Sequence, residues 1–115
     1  MKNLKNSVRL IGNLGSDPEI RNLSDGRPVA RFSLATSENY KNRKGEKVQE
    51  TQWHNIVAWG NLAKIAEKVC KKGYRVAVDG KLTNRSYQDN QGNKRYITEV
   101  IADELMVVNG EKKTQ

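Results

Sequence analysis

The chain has 115 residues, with 21 Lys and Arg against 13 Asp and Glu, so its formal net charge is +8. This length suits one domain with one core, and the excess of positive charge favours a polyanionic partner, either nucleic acid or an anionic membrane surface. A single cysteine, Cys70, excludes an intramolecular disulfide and a cysteine-rich zinc site, and the longest apolar runs have only four residues, far fewer than the roughly 20 of a spanning helix.

The first half of the chain predicts three strands. Ser7–Gly15 is rich in β-branched and apolar residues, and Pro28–Thr36 alternates strictly after a turn signal at Asp25-Gly26. Glu38–Glu50 has too few apolar residues for a core segment, so we expect a long, basic, exposed excursion there. The third predicted strand opens with TQWHNIVAWG, residues 51–60.

One helix is predicted, in NLAKIAEKVCKKG at residues 61–73. Its apolar residues recur at helical spacing, Asn61 is the expected N-cap, and Gly73 is the expected left-handed stop. Cys70 is interpreted as a small hydrophobic residue on this helix. Lys72-Gly73-Tyr74 resembles the start of an RNA-recognition motif, but that fold needs two helices.

Two further strands are predicted after the helix, at Tyr74–Leu82 and Tyr96–Val108, separated by the polar arm Arg85–Arg95. Three strands, one helix and two strands is the order of an OB-fold. We therefore expect an all-β, five-stranded barrel with a short helix between its third and fourth strands and long hairpin arms. Residues 1–110 would form this domain, and residues 111–115 a short polar end.

The inventory of reactive side chains does not favour an enzyme. The chain has one His and one Cys, no phosphate-binding G-x-x-x-x-G-K-[ST] loop, and no paired carboxylates at a metal-binding spacing. We expect no catalytic activity, no metal and no cofactor.

Both tryptophans lie in TQWHNIVAWG. Alternation in a strand would place four side chains on one face, namely Trp53, Asn55, Val57 and Trp59. Core packing is the ordinary interpretation of such indoles. However, Asn55 is an odd core residue, and the opposite face, with Ile56, can already supply core. We therefore favour an exposed platform that stacks on unpaired bases.

Two tyrosines lie among basic residues in the polar arms. Lys41, Arg43 and Lys44 follow Tyr40, and Arg85 precedes Tyr87. Neither arm offers a local core to bury a ring. A solvated loop with an incidental tyrosine remains the other interpretation of each, but aromatic rings beside basic residues are typical of surfaces that bind single strands.

Five segments closely resemble the bacterial single-stranded DNA-binding protein family: VRLIGNLGSDPEIR (Val8–Arg21), FSLATSENY (Phe32–Tyr40), TQWHNIVAWG, LAKIAEKVCKKG and RYITEV (Arg95–Val100). The similarity is collinear from about residue 4 to residue 109. It implies a homotetramer, built from dimers paired through their N-terminal strands, around which single-stranded DNA wraps. It also implies a role in coating and protecting single strands during replication, recombination and repair, in the bacterial cytoplasm at the nucleoid.

The resemblance also implies roles for particular residues. The base-stacking aromatics would be Tyr40, Trp53, Trp59 and Tyr87. The basic residues along the DNA path would be Arg21, Lys41, Arg43, Lys44, Lys72, Arg85 and Arg95. His54 would lie at a subunit interface. Asn55, Thr83 and Ser86 are uncharged where relatives often have Arg or Lys, which predicts weaker binding.

The C-terminal sequence differs from the family pattern. Relatives usually end in a disordered linker and an acidic, hydrophobic tip that recruits replication and repair enzymes, whereas this sequence ends in NGEKKTQ. Recruitment by such a tip is therefore not expected, and the chain is either a naturally short member of the family or a truncated form. The rival functions are a dimeric primosomal replication protein of the same fold, an RNA-binding regulator and, remotely, a metal-dependent nuclease.

Overall fold

The computed structural model describes residues 4–109, and the expectation for the polar end at residues 111–115 lies outside the described residues. Within that range the chain forms six strands and one helix. In chain order they are β1 (Val8–Leu14), β2 (Glu19–Asn22), β3 (Pro28–Lys41), β4 (Lys47–Trp59), α1 (Asn61–Val69), β5 (Arg75–Gln88) and β6 (Lys94–Asn109).

Five of the strands close into a barrel. The strand order is β1-β5-β6-β4-β3, and an additional pairing of β1 with β3 closes the ring. Every neighbouring pair is antiparallel except β4 and β6, which run parallel. In chain order the third and fourth strands of the barrel are β4 and β5, and α1 connects them. The architecture is therefore the predicted OB-fold.

Strand β2 was not predicted from the sequence. Its four residues, EIRN, pair with the start of β3, from Glu19 opposite Arg31 to Asn22 opposite Pro28. Only one of the four is apolar, so the segment has no alternation to mark it as a strand. The segment forms a strand because the edge of β3 offers partners for its backbone hydrogen bonds.

The hairpins extend further than the apolar pattern indicates. β3 and β4 remain paired as far as Lys41 opposite Lys47, and β5 and β6 as far as Gln88 opposite Lys94. We call the projecting parts the β3–β4 arm (residues 36–52) and the β5–β6 arm (residues 82–100). The expectation of long hairpin arms is therefore confirmed, and residues 38–50, expected as an exposed excursion, are two paired strand ends joined by a turn. The ladder continues through the arm because cross-strand hydrogen bonds need no apolar side chain, whereas the sequence pattern detects only a face that meets the core.

The core lies inside the barrel and beneath the helix. Leu34 from β3 and Ile56 from β4 are fully buried, as is Val76 from β5. The helix contributes Ala63 and Ala66, small side chains that let it lie close to one end of the barrel. Alternating inward residues and one helical stripe therefore form a single core, which leaves the opposite faces of the strands available for other roles.

The helix boundaries differ from the prediction at both ends. Gly60, with φ of 60°, is the N-cap, and Asn61 is the first helical residue without a side-chain capping bond. The left-handed conformation of Gly60 turns β4 directly into α1, and glycine adopts it without steric cost. The helix ends at Val69, and Gly73, with φ of 87°, belongs to the following loop, where its N–H donates to the Leu14 carbonyl at 2.9 Å.

Cys70 immediately follows the helix and is buried in the core. Its backbone N–H donates to the Ala66 carbonyl at 2.9 Å. Burial raises the pKa of the Cys70 thiol to about 11, so the group behaves as the small hydrophobic residue that the sequence suggests.

Among residues 4–109, no helix has the length and apolar character needed to cross a membrane.

Candidate nucleic-acid interface

The strands present one continuous surface on the side away from the core. Phe32 pairs with Ile56 and both face inward, so the neighbouring pair of Arg31 and Val57 faces outward. The same alternation in β2, β5 and β6 gives the outer face of the barrel. Its members that matter here are Arg21, Arg31, Trp53, Asn55, Val57, Trp59, Arg85, Tyr87, Arg95 and Glu99.

Both tryptophans are exposed on the outer face, Trp53 by 62% and Trp59 by 40% of their surface. Asn55 between them is also exposed. Core packing of the two indoles is therefore excluded in this structure. Val57, which shares their face, is nonetheless buried, so one covered side chain lies between Asn55 and Trp59 on this face.

Each indole has a specific neighbour. A Cβ at Gly15 would lie 2.5 Å from Trp53 Cζ3, so the indole packs against a backbone that has no side chain at this point. The guanidinium carbon of Arg27 lies 5.8 Å from the centroid of the Trp59 ring, within cation–π range. These contacts hold the rings at the surface in defined places.

A buried carboxylate lies at the centre of the outer face. Glu99 is 3% exposed; Arg31 Nη1 donates to its Oε2 at 2.5 Å, and Arg85 Nε donates to its Oε1 at 2.9 Å. Burial raises the pKa of Glu99, but the hydrogen bonds from Arg85 and Arg31 outweigh burial and hold that pKa below its ordinary value of 4.5. The guanidiniums remain partly exposed, so the cluster fixes two cationic groups between the tryptophans and Tyr87 while leaving them accessible to an anion.

Tyr87 continues the outer face onto the β5–β6 arm. Its ring is 47% exposed, and the guanidinium carbon of Arg85 lies 6.0 Å from its centroid. Arg95 lies directly opposite Tyr87 in the ladder and donates from Nε to Asp89 Oδ2 at 2.9 Å. That hydrogen bond is the main reason that the pKa of Asp89 is lowered. The structure thus brings Tyr87, Arg85 and Arg95 together on one face of the β5–β6 arm.

Tyr40 is exposed but does not share the tryptophan face. It pairs with Val48, and alternation along β3 places its side chain on the opposite side of the β3–β4 arm from Trp53. Lys41 ends β3, whereas Arg43 and Lys44 lie in the turn at the tip of the arm. The four stacking residues expected from the resemblance therefore divide into three on the outer face and one on the reverse of an arm.

The other expected residues are more dispersed. Arg21 lies on β2 on the outer face, where its Nε donates to Glu19 at 3.0 Å. Lys72 is exposed in the loop after α1, and its backbone N–H donates to Asp17 Oδ1 at 2.8 Å. His54 faces inward and is half-buried, with Nε2 2.9 Å from Thr36 Oγ1.

Sequence reasoning missed four residues at or near this surface: Arg27, Arg31, Tyr96 and Glu99. Tyr96 was detectable, because it follows Lys94 and Arg95 in the same aromatic-beside-basic pattern as the other tyrosines. Arg31 and Glu99 are 68 positions apart in the chain and meet only through the parallel pairing of β4 with β6, so no local pattern connects them.

No group of three or more His, Cys, Asp or Glu side chains that could hold a metal ion occurs within residues 4–109.

The fold and its outer face define an OB-fold protein with exposed aromatic rings and guanidinium groups on one surface. Comparison with known families gives a more specific result: the sequence model of the Single-strand binding protein family matches residues 5–108. The chain belongs to this family.

Three similar curated proteins are bacterial. Single-stranded DNA-binding protein 1 of Chlorobaculum tepidum is 45% identical over 104 residues, and the alignment covers 90% of this chain and 64% of that protein. Single-stranded DNA-binding protein 1 of Xylella fastidiosa is 43% identical over 104 residues, with coverage of 90% and 76%. The single-stranded DNA-binding protein of Rhizobium meliloti is 47% identical over 98 residues, with coverage of 84% and 56%. The chain thus spans less than two thirds of the length of two of these relatives.

A similar solved structure is the Plasmodium falciparum SSB complex with ssDNA. It superimposes with a TM-score of 0.84 at 37% identity and covers 95% of this chain and 98% of that one. The fold is therefore similar, over nearly the whole of both chains, to that of an SSB solved in complex with ssDNA.

Proposed function

We propose that the protein is a non-enzymatic, sequence-independent single-stranded DNA-binding protein that coats and protects exposed strands in replication, recombination and repair. The observation that supports this most directly is the pair of exposed indoles on the outer face, Trp53 and Trp59, with fixed guanidinium groups beside them. Membership of the Single-strand binding protein family supports it independently.

Base stacking explains why the partner would be single-stranded. A ring that lies flat on a base contributes roughly 1–3 kcal/mol whatever the base, because every base has a π-face. In a duplex those faces are occupied by neighbouring bases. Trp53 and Trp59 are six residues apart in one strand, about 20 Å, which far exceeds the roughly 3.4 Å between stacked bases, so each indole would hold a different base.

The basic residues would bind the phosphates between these bases. Arg21, Arg85 and Arg95 lie on the same face as Trp53 and Trp59, and Lys41, Arg43, Lys44 and Lys72 would extend the path over the β3–β4 arm and the loop after α1. For each phosphate that the protein neutralises on a single strand, log K should fall by roughly 0.7 per log unit of added salt. Stacking would supply the part of the affinity that persists at high salt.

A fluorescence titration tests the proposal. Tryptophan emission is followed while oligo(dT) is added at low and at high salt, with duplex DNA of the same length as competitor. We expect strong quenching that resists salt and that duplex does not reverse. Trp53→Ala or Trp59→Ala should weaken binding more than Lys41→Ala, the matched change of a basic residue. Equal losses for the two kinds of variant, or equal competition by duplex, would contradict the stacking argument.

We also propose that the protein is a homotetramer, a dimer of dimers. Two surfaces support this. Among the described residues, β1 pairs with β3 only through Asn13 and Leu14, so most of its outer edge is open for a second strand. Ile11 and Met106 are exposed on either side of Ala77 and form an apolar row across β1, β5 and β6.

Light scattering with size-exclusion chromatography measures the mass in solution. We expect four chains per particle, and Met106→Glu should dissociate the tetramer. A dimer that is unaffected by this change would favour the primosomal rival. His54 would lie near a subunit interface. His54→Ala should make the tetramer dissociate at a higher protein concentration than the unaltered protein does, without abolishing the fold.

The remaining parts of the proposal follow from its DNA partner. Residues 1–110 would form the single-stranded DNA-binding domain, and the protein would act in the bacterial cytoplasm at the nucleoid. A preference for oligo(U) over oligo(dT) in the same titration would instead favour an RNA-binding regulator.

A further inference from the structure

The reverse face of the β5–β6 arm has its own aromatic residue with a cation beside it. Tyr96 lies on β6, and alternation places its ring on the side opposite Tyr87 and Arg95. It is 73% exposed, more than any of the four aromatics expected to stack. Lys94 Nζ lies 5.7 Å from the centroid of the ring.

The surroundings of Tyr96 give its ring no structural role in the core. Directly across the ladder is Ser86, a small polar residue. The next pair toward the barrel is also polar, with Thr98 Oγ1 donating to Asn84 Oδ1 at 2.6 Å. The first buried residue on this face is Val100, four positions further along β6. The ring therefore exposes apolar surface to solvent and contributes nothing to core packing.

The two faces of the arm are chemically alike. On the outer face Arg85 lies 6.0 Å from the Tyr87 ring, and on the reverse face Lys94 lies 5.7 Å from the Tyr96 ring. A cation beside an exposed ring can bind a phosphate while the ring stacks on the attached base. The same combination on both sides of a two-stranded ribbon suits one flexible polyanion that contacts both sides.

We propose that Tyr96 and Lys94 form an additional nucleotide-binding site on the reverse face of the β5–β6 arm, taking an unpaired base on the ring and its phosphate on the ammonium group. This site rests on the proposed binding of single-stranded DNA and deepens it. A strand that stacks on Tyr87 reaches Tyr96 only by passing around the arm, so only a long strand contacts both faces. The arm thereby becomes an element around which the strand turns.

Two lengths of oligo(dT) test the site. The shorter, about 8 nucleotides, fits on one surface, and the longer, about 30 nucleotides, exceeds the roughly 4–16 nucleotides that one OB-fold covers. Tyr96→Ala should lower the affinity for the longer strand by about fivefold or more, which matches the lower limit for loss of one stacked base. The affinity for the shorter strand should change by less than about twofold, since the outer face dominates its binding.

Matched variants separate stacking from other effects. Ser86→Ala alters the residue directly opposite Tyr96 and should leave both affinities unchanged, and Tyr96→Phe should retain the affinity of the original protein. Unchanged binding of the longer strand by Tyr96→Ala, or an equal loss for both lengths, overturns the site. A change of mass in solution for Tyr96→Ala also overturns it, because the ring would then be covered by a second copy of the chain.

Photocrosslinking tests the unaltered protein directly. Long and short oligonucleotides with 5-iodouracil in place of thymine are irradiated in complex, and tryptic peptides are identified by mass spectrometry. Adducts at both Trp53 and Tyr96 with the long strand support the site. Adducts at Trp53 without any at Tyr96 overturn the site but leave the proposed function intact, whereas absence of binding by the unaltered protein overturns both.

Discussion

The carboxylate of Glu99 makes Arg31 and Arg85 dependent on each other, and a double-mutant cycle measures this dependence. Both guanidiniums donate to the same buried group. The perturbation is Arg31→Met, Arg85→Met and the two combined, because methionine keeps part of the aliphatic stem while it removes the charge. The free energy of unfolding in urea at pH 7 and one fixed protein concentration is the measurement.

The expected magnitude follows from burial. Arg31 and Arg85 are 39% and 45% exposed, so solvent screening limits the loss from either single change to about 1 kcal/mol, and Glu99 keeps one partner. The double change leaves a carboxylate that is 3% exposed without a partner, which costs about 3–5 kcal/mol. The double loss should therefore exceed the sum of the single losses by about 1–3 kcal/mol.

The pH dependence gives a second signature. In the unaltered protein the folded pKa of Glu99 is lowered, so its contribution to stability is present above the ordinary value of 4.5 and is lost as pH falls through the folded pKa. In the double variant burial acts alone and raises the pKa of Glu99, so folding favours the protonated carboxyl over the carboxylate. The stability deficit of the double variant should be largest near pH 7 and should shrink as pH falls, first through the raised pKa of Glu99 in the variant and then through its lowered pKa in the unaltered protein.

Arg21→Met is the matched control, since its partner Glu19 is mostly exposed and the change should cost less than about 1 kcal/mol. Glu99→Gln in the double variant should restore part of the stability because it removes the unpaired charge. Single losses that add to the double loss within about 0.5 kcal/mol would refute the reasoning.

Three further outcomes follow from close contacts and burial. Gly15→Ala should displace the Trp53 indole, whose Cζ3 lies 2.5 Å from the new Cβ, and should weaken oligo(dT) binding by about fivefold or more in the fluorescence titration. Gly12→Ala, whose Cβ would lie 2.1 Å from the backbone oxygen of Ala35, should destabilise the fold by at least about 2 kcal/mol in thermal unfolding. Cys70 is buried with a thiol pKa of about 11, so a thiol reagent at pH 8 should label it in urea but scarcely in the folded protein.

The barrel was predictable from sequence because its strands have one face in the core. Phe32 and Leu34 alternate with polar residues, and Ile56 lies on the inward side of β4. The arms were not predictable in the same way, since both of their faces meet solvent and no alternation marks them. Strand β2, with four mostly polar residues, was missed for a related reason.

The candidate site was predictable only where its residues are close in sequence. Trp53 and Trp59 lie on one strand, so simple alternation places them together. Tyr40 was assigned to the same stacking set, but its face depends on how far the β3–β4 ladder extends, which the polar sequence concealed. The contact of Arg31 with Glu99 requires the register of three strands.

Ion pairing within the outer face changes how the net charge of +8 should be understood. Glu99 offsets one of the two charges of Arg31 and Arg85, and Glu19 offsets that of Arg21. A phosphate that approaches these arginines competes with a carboxylate that already holds them, so each gains less than an isolated surface cation would. An uncharged ring, by contrast, forms no ion pair that a base would have to break. Stacking should therefore supply a larger share of the affinity than the count of basic residues suggests. A duplex hides its base faces and can bind only through its phosphates. The ion pairs that weaken phosphate binding should therefore increase the preference for single strands.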